Sequence, residues 1–294
     1  MNVIEDYIGY IRNKRRLSEN TVMSYSADIK KYTDYLNREK VDILEVSEND
    51  IFGFLIELEK DKASVSSICR MISSIRSFHD YMYHMKIAEK NPAMNMKKPK
   101  VKREEYEILT EEEITSLLHF EDIDTPKAIR DKAIFEVLYG TGIKVSELAD
   151  LDLEDVNLEL DYIQLNKNKR NRVIPLLDTT KVYLEKYIDE SRMHLADEGE
   201  NALFVSALGH RFTRQGIWKI IKKYSSLKNI KKNINPTMLR RSFAIHLLQR
   251  GANIGVVSKI LGNTNLSSIQ GYLDQIEQNI SKELKDKHPR NEVD

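Results

Sequence analysis

The 294-residue chain holds one cysteine, one tryptophan, 6 prolines and 11 glycines, and its formal net charge is zero. The lone Cys69 has no partner for an internal disulfide, and a thiolate-based zinc site needs more sulfur than the chain contains. Both absences fit a reducing compartment. No apolar run approaches the roughly 18 residues of a membrane span. The opening MNVIEDYIGYIRNK carries acids where a secretory leader would be basic and then apolar. A soluble, cytoplasmic protein with no membrane partner is expected. The chain has no internal repeat and no low-complexity tract.

The zero balance comes from two equal populations, 46 Lys plus Arg against 46 Asp plus Glu. A domain that binds nucleic acid usually leans basic, and this chain as a whole does not. How the charges are placed says more than their sum. Basic residues gather in Lys97, Lys98, Lys100, Lys102 and Arg103, in Lys167, Lys169, Arg170 and Arg172, and from Lys219 through Lys232. Acids gather at Glu111 to Glu113 and from Asp150 to Asp155. One such cluster is ordinarily a solvated face. Three basic clusters, each beside a motif described below, point to phosphate contacts.

At this length two domains are expected, each with its own core. Residues 1–95 read as helical. Ser18, Ser47 and a start near Ser64 are N-terminal signals. They precede apolar residues at helical spacing: Val22, Tyr25, Ile29, Tyr32 and Leu36, then Ile51, Phe54, Leu55 and Leu58, then Ile68, Ile72, Ile75, Phe78 and Met82. With a short opening helix they make a four-helix unit. Asn91-Pro92, Pro99 and the dense lysines then break the pattern, so 96–106 reads as an extended basic linker. Helix restarts with a capping box of Thr110 and Glu113 and opens a second domain, 107–294.

In that domain Ala128 to Tyr139 is helical, Gly140-Thr141-Gly142 is a tight turn, and Val145 begins another helix. The runs 162–165 and 172–176 flank a polar stretch and read as a hairpin, and the remainder reads as helix with a break at Asn235-Pro236. The expected fold is mainly α with a small antiparallel β-sheet.

Four segments then stand in a particular order: YGTGIKVSEL ending at Leu148, LNKNKRNRVIPL ending at Leu176, NPTMLRRSFAIHLL ending at Leu248, and Leu261-Gly262-Asn263 followed by SIQGY ending at Tyr272. Together they resemble the tyrosine recombinase family, closest to its Xer and phage-integrase-like members. The resemblance extends over essentially the whole chain, since residues 1–95 are similar to the family's SAM-like core-binding domain. It implies site-specific DNA recombination. A tyrosine hydroxyl attacks a DNA phosphate and forms a 3′-phosphotyrosyl link, and the freed 5′-hydroxyl later attacks a partner strand. The bond energy stays in the covalent link, so no cofactor and no metal is implied.

Carried over position by position, Tyr272 matches the nucleophile, Lys167 the lysine that protonates the leaving oxygen, and Arg240 the second phosphate-clamping arginine. Lys144 stands where the family has its first arginine, Thr237 where it has a histidine or lysine, and Asn263 where it has a histidine or tryptophan. Lysine keeps the charge but lacks the two-pronged fork, and Thr237 cannot serve as a base near neutral pH. Lys97, Lys98, Lys100, Lys102, Arg103, Lys169, Arg170, Arg214, Lys219 and Arg241 are the expected DNA contacts. His246, on an apolar-patterned stretch, is expected to be structural and Trp218 to be core. Glu147 has two readings, a residue that orients Lys144 or an ordinary solvated helix residue.

The implied partners are duplex DNA with a short, inverted-repeat site and further protomers, homo- or hetero-oligomeric, up to a tetramer. The segment from Ile276 to Lys287 would dock on a neighbour. The substituted positions keep two other readings open: a recombinase-like DNA-binding regulator or accessory factor without catalysis, and a relaxase-like nickase.

Overall fold

Serine caps start three of the first unit's helices, each lending an oxygen to a first-turn N–H that the helix itself leaves without an acceptor. Ser18 accepts from the Thr21 N–H, Ser47 from Asp50 and Ser64 from Ser67, with Asp50 answering Ser47 in a reciprocal box. In the computed structural model, which describes residues 3–99, 107–121, 123–166, 171–262, 269–274, 276, 277 and 281, the chain divides into two units, Met1–Glu104 and Glu105–Asp294.

The first unit comprises α1 (Val3–Asn13), α2 (Glu19–Arg38), α3 (Glu48–Lys60) and α4 (Val65–His84). The helical apolar spacing becomes its core. Val22, Ile29, Tyr32 and Leu36 are buried against Ile51, Phe54 and Leu58 and against Ile68, Ile72, Ile75, Phe78 and Met82. Each large side chain removed from water contributes about 1.5–3 kcal/mol. Two polar groups are enclosed with partners: Asp28 accepts from the Ser74 hydroxyl at 2.7 Å and pairs with Arg70, and the Tyr32 hydroxyl lies 3.0 Å from His79 Nε2. Lys97 and Lys98 follow as exposed, non-helical residues.

The second unit contains α5 (Glu111–Leu118), α6 (Pro126–Thr141), α7 (Val145–Asp150), β1 (Val156–Asn157), β2 (Tyr162–Leu165), β3 (Arg172–Pro175), α8 (Asp178–Lys186), α9 (Arg214–Leu227), α10 (Pro236–Gln249) and α11 (Ile254–Leu261). The sheet is antiparallel in the order β1-β2-β3, with Ile163 paired to Val156 on one side and Ile174 on the other. The hairpin therefore forms, joined by the two-residue strand β1, which is too short to leave a periodic signal in the sequence. Residues 195–213 are not the continuous helix the sequence suggests. Gly199 and Gly209 take left-handed φ values of 79° and 82°, and isolated bridges pair Asp152 with Ala202 and Val205 with Arg211. The run Leu203-Phe204-Val205 is buried as non-helical chain, bent at Leu203 and Phe204.

Helix α6 runs through the middle of this core. Ile129, Ala133, Ile134, Phe135, Val137 and Leu138 are buried, and so are four charged residues, which pair as Arg130–Asp131 at 2.7 Å and Lys132–Glu136 at 2.6 Å. Burial without such pairing would be very costly. The helix stops at Gly142, whose φ of 59° suits a residue without a Cβ; a Cβ there would lie 2.3 Å from the Phe243 ring. The expected docking segment from Ile276 to Lys287 falls almost wholly outside the described residues.

Burial holds the His79 imidazole down at about 4, against an ordinary value of 6.5. The folded ring stays neutral where the unfolded ring takes up a proton, so stability from this site is complete above about pH 7 and drains as pH falls from 6.5 towards 4. Denaturant melts of the wild type should lose stability between pH 7 and pH 5, with a ceiling of about 2 kcal/mol from this residue. His79→Gln should flatten that slope. An unchanged slope assigns it to other groups.

Candidate active site

The site is assembled around the end of α11. A helix leaves its last carbonyls without internal partners. Here two guanidiniums take them, Arg172 donating from Nε to the Ile260 carbonyl at 2.9 Å and Arg240 from Nη2 to the Leu261 carbonyl at 2.5 Å. Arg240 also donates from Nη1 to the Gly142 carbonyl at 2.6 Å, at the point where α6 turns toward α7. Two main-chain acceptors thus fix the plane of a planar, five-donor group.

Lys144 is the N-cap residue of α7, in extended conformation, and its backbone N–H donates to Glu147 Oε2 at 2.9 Å. The other face of Glu147 receives the Arg172 fork, Nη1 to Oε1 at 2.9 Å and Nη2 to Oε2 at 2.7 Å. Burial pushes the Glu147 carboxyl up, but the Arg172 hydrogen bonds, the Lys144 N–H and the charges of Arg172 and Lys144 outweigh it. The carboxyl is held below the usual carboxylate range. Glu147 is therefore not an ordinary solvated helix residue: it accepts both from the Lys144 N–H and from the Arg172 fork.

Arg240 is pressed by burial down to about 10, with Glu147 and Tyr272 favouring its charged form and Arg172 opposing it. At neutral pH it remains a cation. Tyr272, in the helical residues 269–274, packs on the cluster of Phe243, Ala244, Val257, Leu261 and Ile269, close enough to Arg240 for their charges to interact. Gly262 precedes it with a left-handed φ of 62°. A Cβ at this glycine would lie 2.6 Å from Arg172 Nη1, so the chain leaving α11 passes directly over the guanidinium.

Among the sequence candidates, Lys144, Arg240 and Tyr272 border this cluster. Thr237 is exposed in the first turn of α10, one turn before Arg240. Arg214 and Lys219 are exposed on α9, and Arg241 is half-buried on α10. Lys167, Lys169, Arg170, Asn263, Lys100, Lys102 and Arg103 lie outside the described residues. His246 is buried with its Nδ1 2.8 Å from the Tyr139 hydroxyl, and burial lowers its pKa, in keeping with a structural role. Trp218 is not core. Its ring is 46% exposed on α9, with Lys222 Nζ 5.1 Å from the ring centre.

Arg172 is the residue that sequence reasoning missed. It was grouped with the basic hairpin run, yet its side chain is only 10% exposed and paired. Two lysines of the third basic cluster also serve the fold, Lys228 with Glu121 at 3.4 Å and Lys232 with Glu113 at 2.6 Å. No three His, Cys, Asp or Glu side chains gather as a metal site among the described residues. What the cluster offers chemically is fixed cationic donors beside a phenol, an arrangement that fits attack on an anionic ester.

Residues 4–86 match the sequence family described as the phage integrase N-terminal SAM-like domain, and residues 107–279 match the phage integrase family. The tyrosine recombinase XerD of Oceanobacillus iheyensis is 39% identical over 292 residues, covering 98% of both chains. That of Staphylococcus epidermidis is 37% identical over 294 residues, covering 98% of this chain and 99% of the relative. Among solved structures, XerH recombinase bound to a palindromic difH substrate in a post-cleavage complex superposes with a TM-score of 0.76 at 18% identity, covering 96% of this chain and 83% of the other. The Tn1549 transposon integrase in complex with a circular intermediate DNA gives 0.73 at 19% identity, covering 96% and 99%. No described helix is long and apolar enough to cross a membrane. With both units matched and near-full-length identity above a third, the chain belongs to the phage integrase family of tyrosine recombinases.

Proposed function

We propose that this chain is a site-specific DNA recombinase that cuts and rejoins duplex DNA through Tyr272. The observation that carries the reading is Arg240, held between the Gly142 and Leu261 carbonyls with Tyr272 beside it. The Tyr272 oxygen attacks the scissile phosphorus while the bond to the 5′ oxygen breaks. The tyrosyl proton goes to a base or to water, and the leaving oxygen takes a proton from Lys167. Rejoining reverses these steps with a 5′-hydroxyl of the partner strand, so phosphodiester bonds are conserved and no energy source is consumed.

Arg240 and Lys144 neutralise the non-bridging oxygens as negative charge builds on them, with Asn263 and Thr237 as neutral donors. A lysine at 144 supplies charge without bidentate geometry. The exposed Arg214 and Lys219 of α9, together with Arg241, Lys97, Lys98, Lys100, Lys102, Arg103, Lys169 and Arg170, contact the DNA. Two protomers occupy an inverted repeat and four make the synapse, in the cytoplasm. The solved recombinases of similar fold described as bound to DNA support a DNA partner. Neither the fold nor the relatives offer anything in favour of the non-catalytic regulator or the nickase.

The test starts from a duplex recovered by binding selection from a random-sequence library. That duplex is nicked near the candidate scissile phosphate so that the cleaved end diffuses away and the covalent adduct accumulates on a denaturing gel. Wild type should form the adduct and Tyr272→Phe should not. Arg240→Ala should cut the rate roughly 100- to 1000-fold, the usual cost of a preorganised donor. Binding by wild type without any adduct overturns the proposal. Lys144→Arg should raise the cleavage rate over wild type; equal or lower rates show that the lysine is matched to this pocket.

A further inference from the structure

Arg172 touches two separate pieces of chain that border the proposed phosphate pocket, the start of α7 and the end of α11. Its fork grips Glu147, one turn into the helix that Lys144 begins. Its Nε holds the Ile260 carbonyl, next to the Leu261 carbonyl that holds Arg240. Its face supports Gly262, from which the chain continues to Asn263 and Tyr272. Glu147 in turn holds the backbone N–H of Lys144 and favours the charged form of Arg240.

Resting on the recombinase reading, we infer that Arg172 is a positioning residue for cleavage, aligning Lys144, Arg240 and the Tyr272 segment without touching the DNA itself. The charge arithmetic points the same way. Without Arg172, the Glu147 carboxylate stands next to Lys144 and Arg240 with its guanidinium partner gone, and it competes with the scissile phosphate for both cations. A lysine at 172 restores a charge but cannot hold the carboxylate in two places and the Ile260 carbonyl in a third.

The experiment uses the full chain, the selected duplex in its nicked form, and the same duplex with a methylphosphonate at the scissile position. This neutral analogue carries no charge for the clamp to neutralise. Arg172→Met and Glu147→Gln are compared with wild type for unfolding midpoint, DNA affinity and single-turnover adduct formation. Both variants should stay folded and bind the phosphate duplex within about threefold of wild type while forming adduct roughly 10- to 100-fold more slowly, the usual cost of a supporting-shell partner. On the methylphosphonate duplex the deficit should shrink to a few-fold, because the misaligned cations matter less. Arg172→Lys should recover only part of the rate.

If wild type makes no adduct, the recombinase reading falls and this inference falls with it. If wild type reacts and both variants react within threefold of it, only the inference falls. Equal deficits on the charged and neutral duplexes overturn it as well, since general loosening slows both alike. So does joint unfolding of the two variants, which assigns the pair to stability alone.

Discussion

Helix α11 ends in two carbonyls that point at guanidiniums, and the segments of the candidate site meet at that junction. Ile260 is held by Arg172 and Leu261 by Arg240. The C-terminal end of a helix carries partial negative charge, so cations there are favoured on electrostatic grounds and by hydrogen bonding. A hydrogen bond to a charged group contributes about 1.5–3 kcal/mol. The same two arginines reach the end of α6 and the start of α7, so the 142–147 and 260–261 stretches, distant in sequence, are fastened by two side chains. Fixing the plane of Arg240 beforehand matters because a donor already aimed at a developing charge needs no reorganisation during the reaction.

The neutral total charge conceals a division of labour. Cations from inside and outside the sequence clusters pair with the chain's own acids: Lys228 and Lys232 with acids of the segment around α5, Arg250 with Glu111 at 2.6 Å, and Arg211 with Asp152. Arg214 and Lys219 of α9 are exposed, on a helix that contains no acidic side chain. Equal counts of acid and base are therefore compatible with a basic DNA-facing surface. Net charge averages over both populations, and only placement separates them.

What the sequence made legible was local. Ser18, Ser47, Ser64 and Thr110 each accept a hydrogen bond from an N–H three residues on in the helix they start, and such caps are readable because cap and target are neighbours in the chain. The glycine turn at 142 and the hairpin strands were legible for the same reason. Arg172 was not, since its partners Glu147 and Ile260 lie 25 and 88 residues away and an arginine in a basic run looks the same whether buried or exposed. Trp218 misled for the opposite reason. Bulk suggests burial, yet on α9 the inward positions are taken by Ile217, Ile220 and Ile221. The non-helical run at 203–205 carries the helix-compatible pattern of any short apolar stretch, and length alone could not exclude helix.

The backbone around Lys144 is held independently of its own side chain. The backbone at 144 is fixed by its N–H bond to Glu147 and by Gly142 and Ile143 before it, with Ile143 buried. None of that depends on the side chain beyond Cβ. A lysine at this position leaves those backbone contacts in place. Three cations, Lys144, Arg172 and Arg240, interact with the Glu147 carboxylate, so this group of four side chains carries a net positive charge. What is lost is direction: an ammonium attracts an anion without specifying the orientation of two oxygens. On the recombinase reading proposed above, orientation of the phosphate then rests on Arg240, whose plane is set by the main chain.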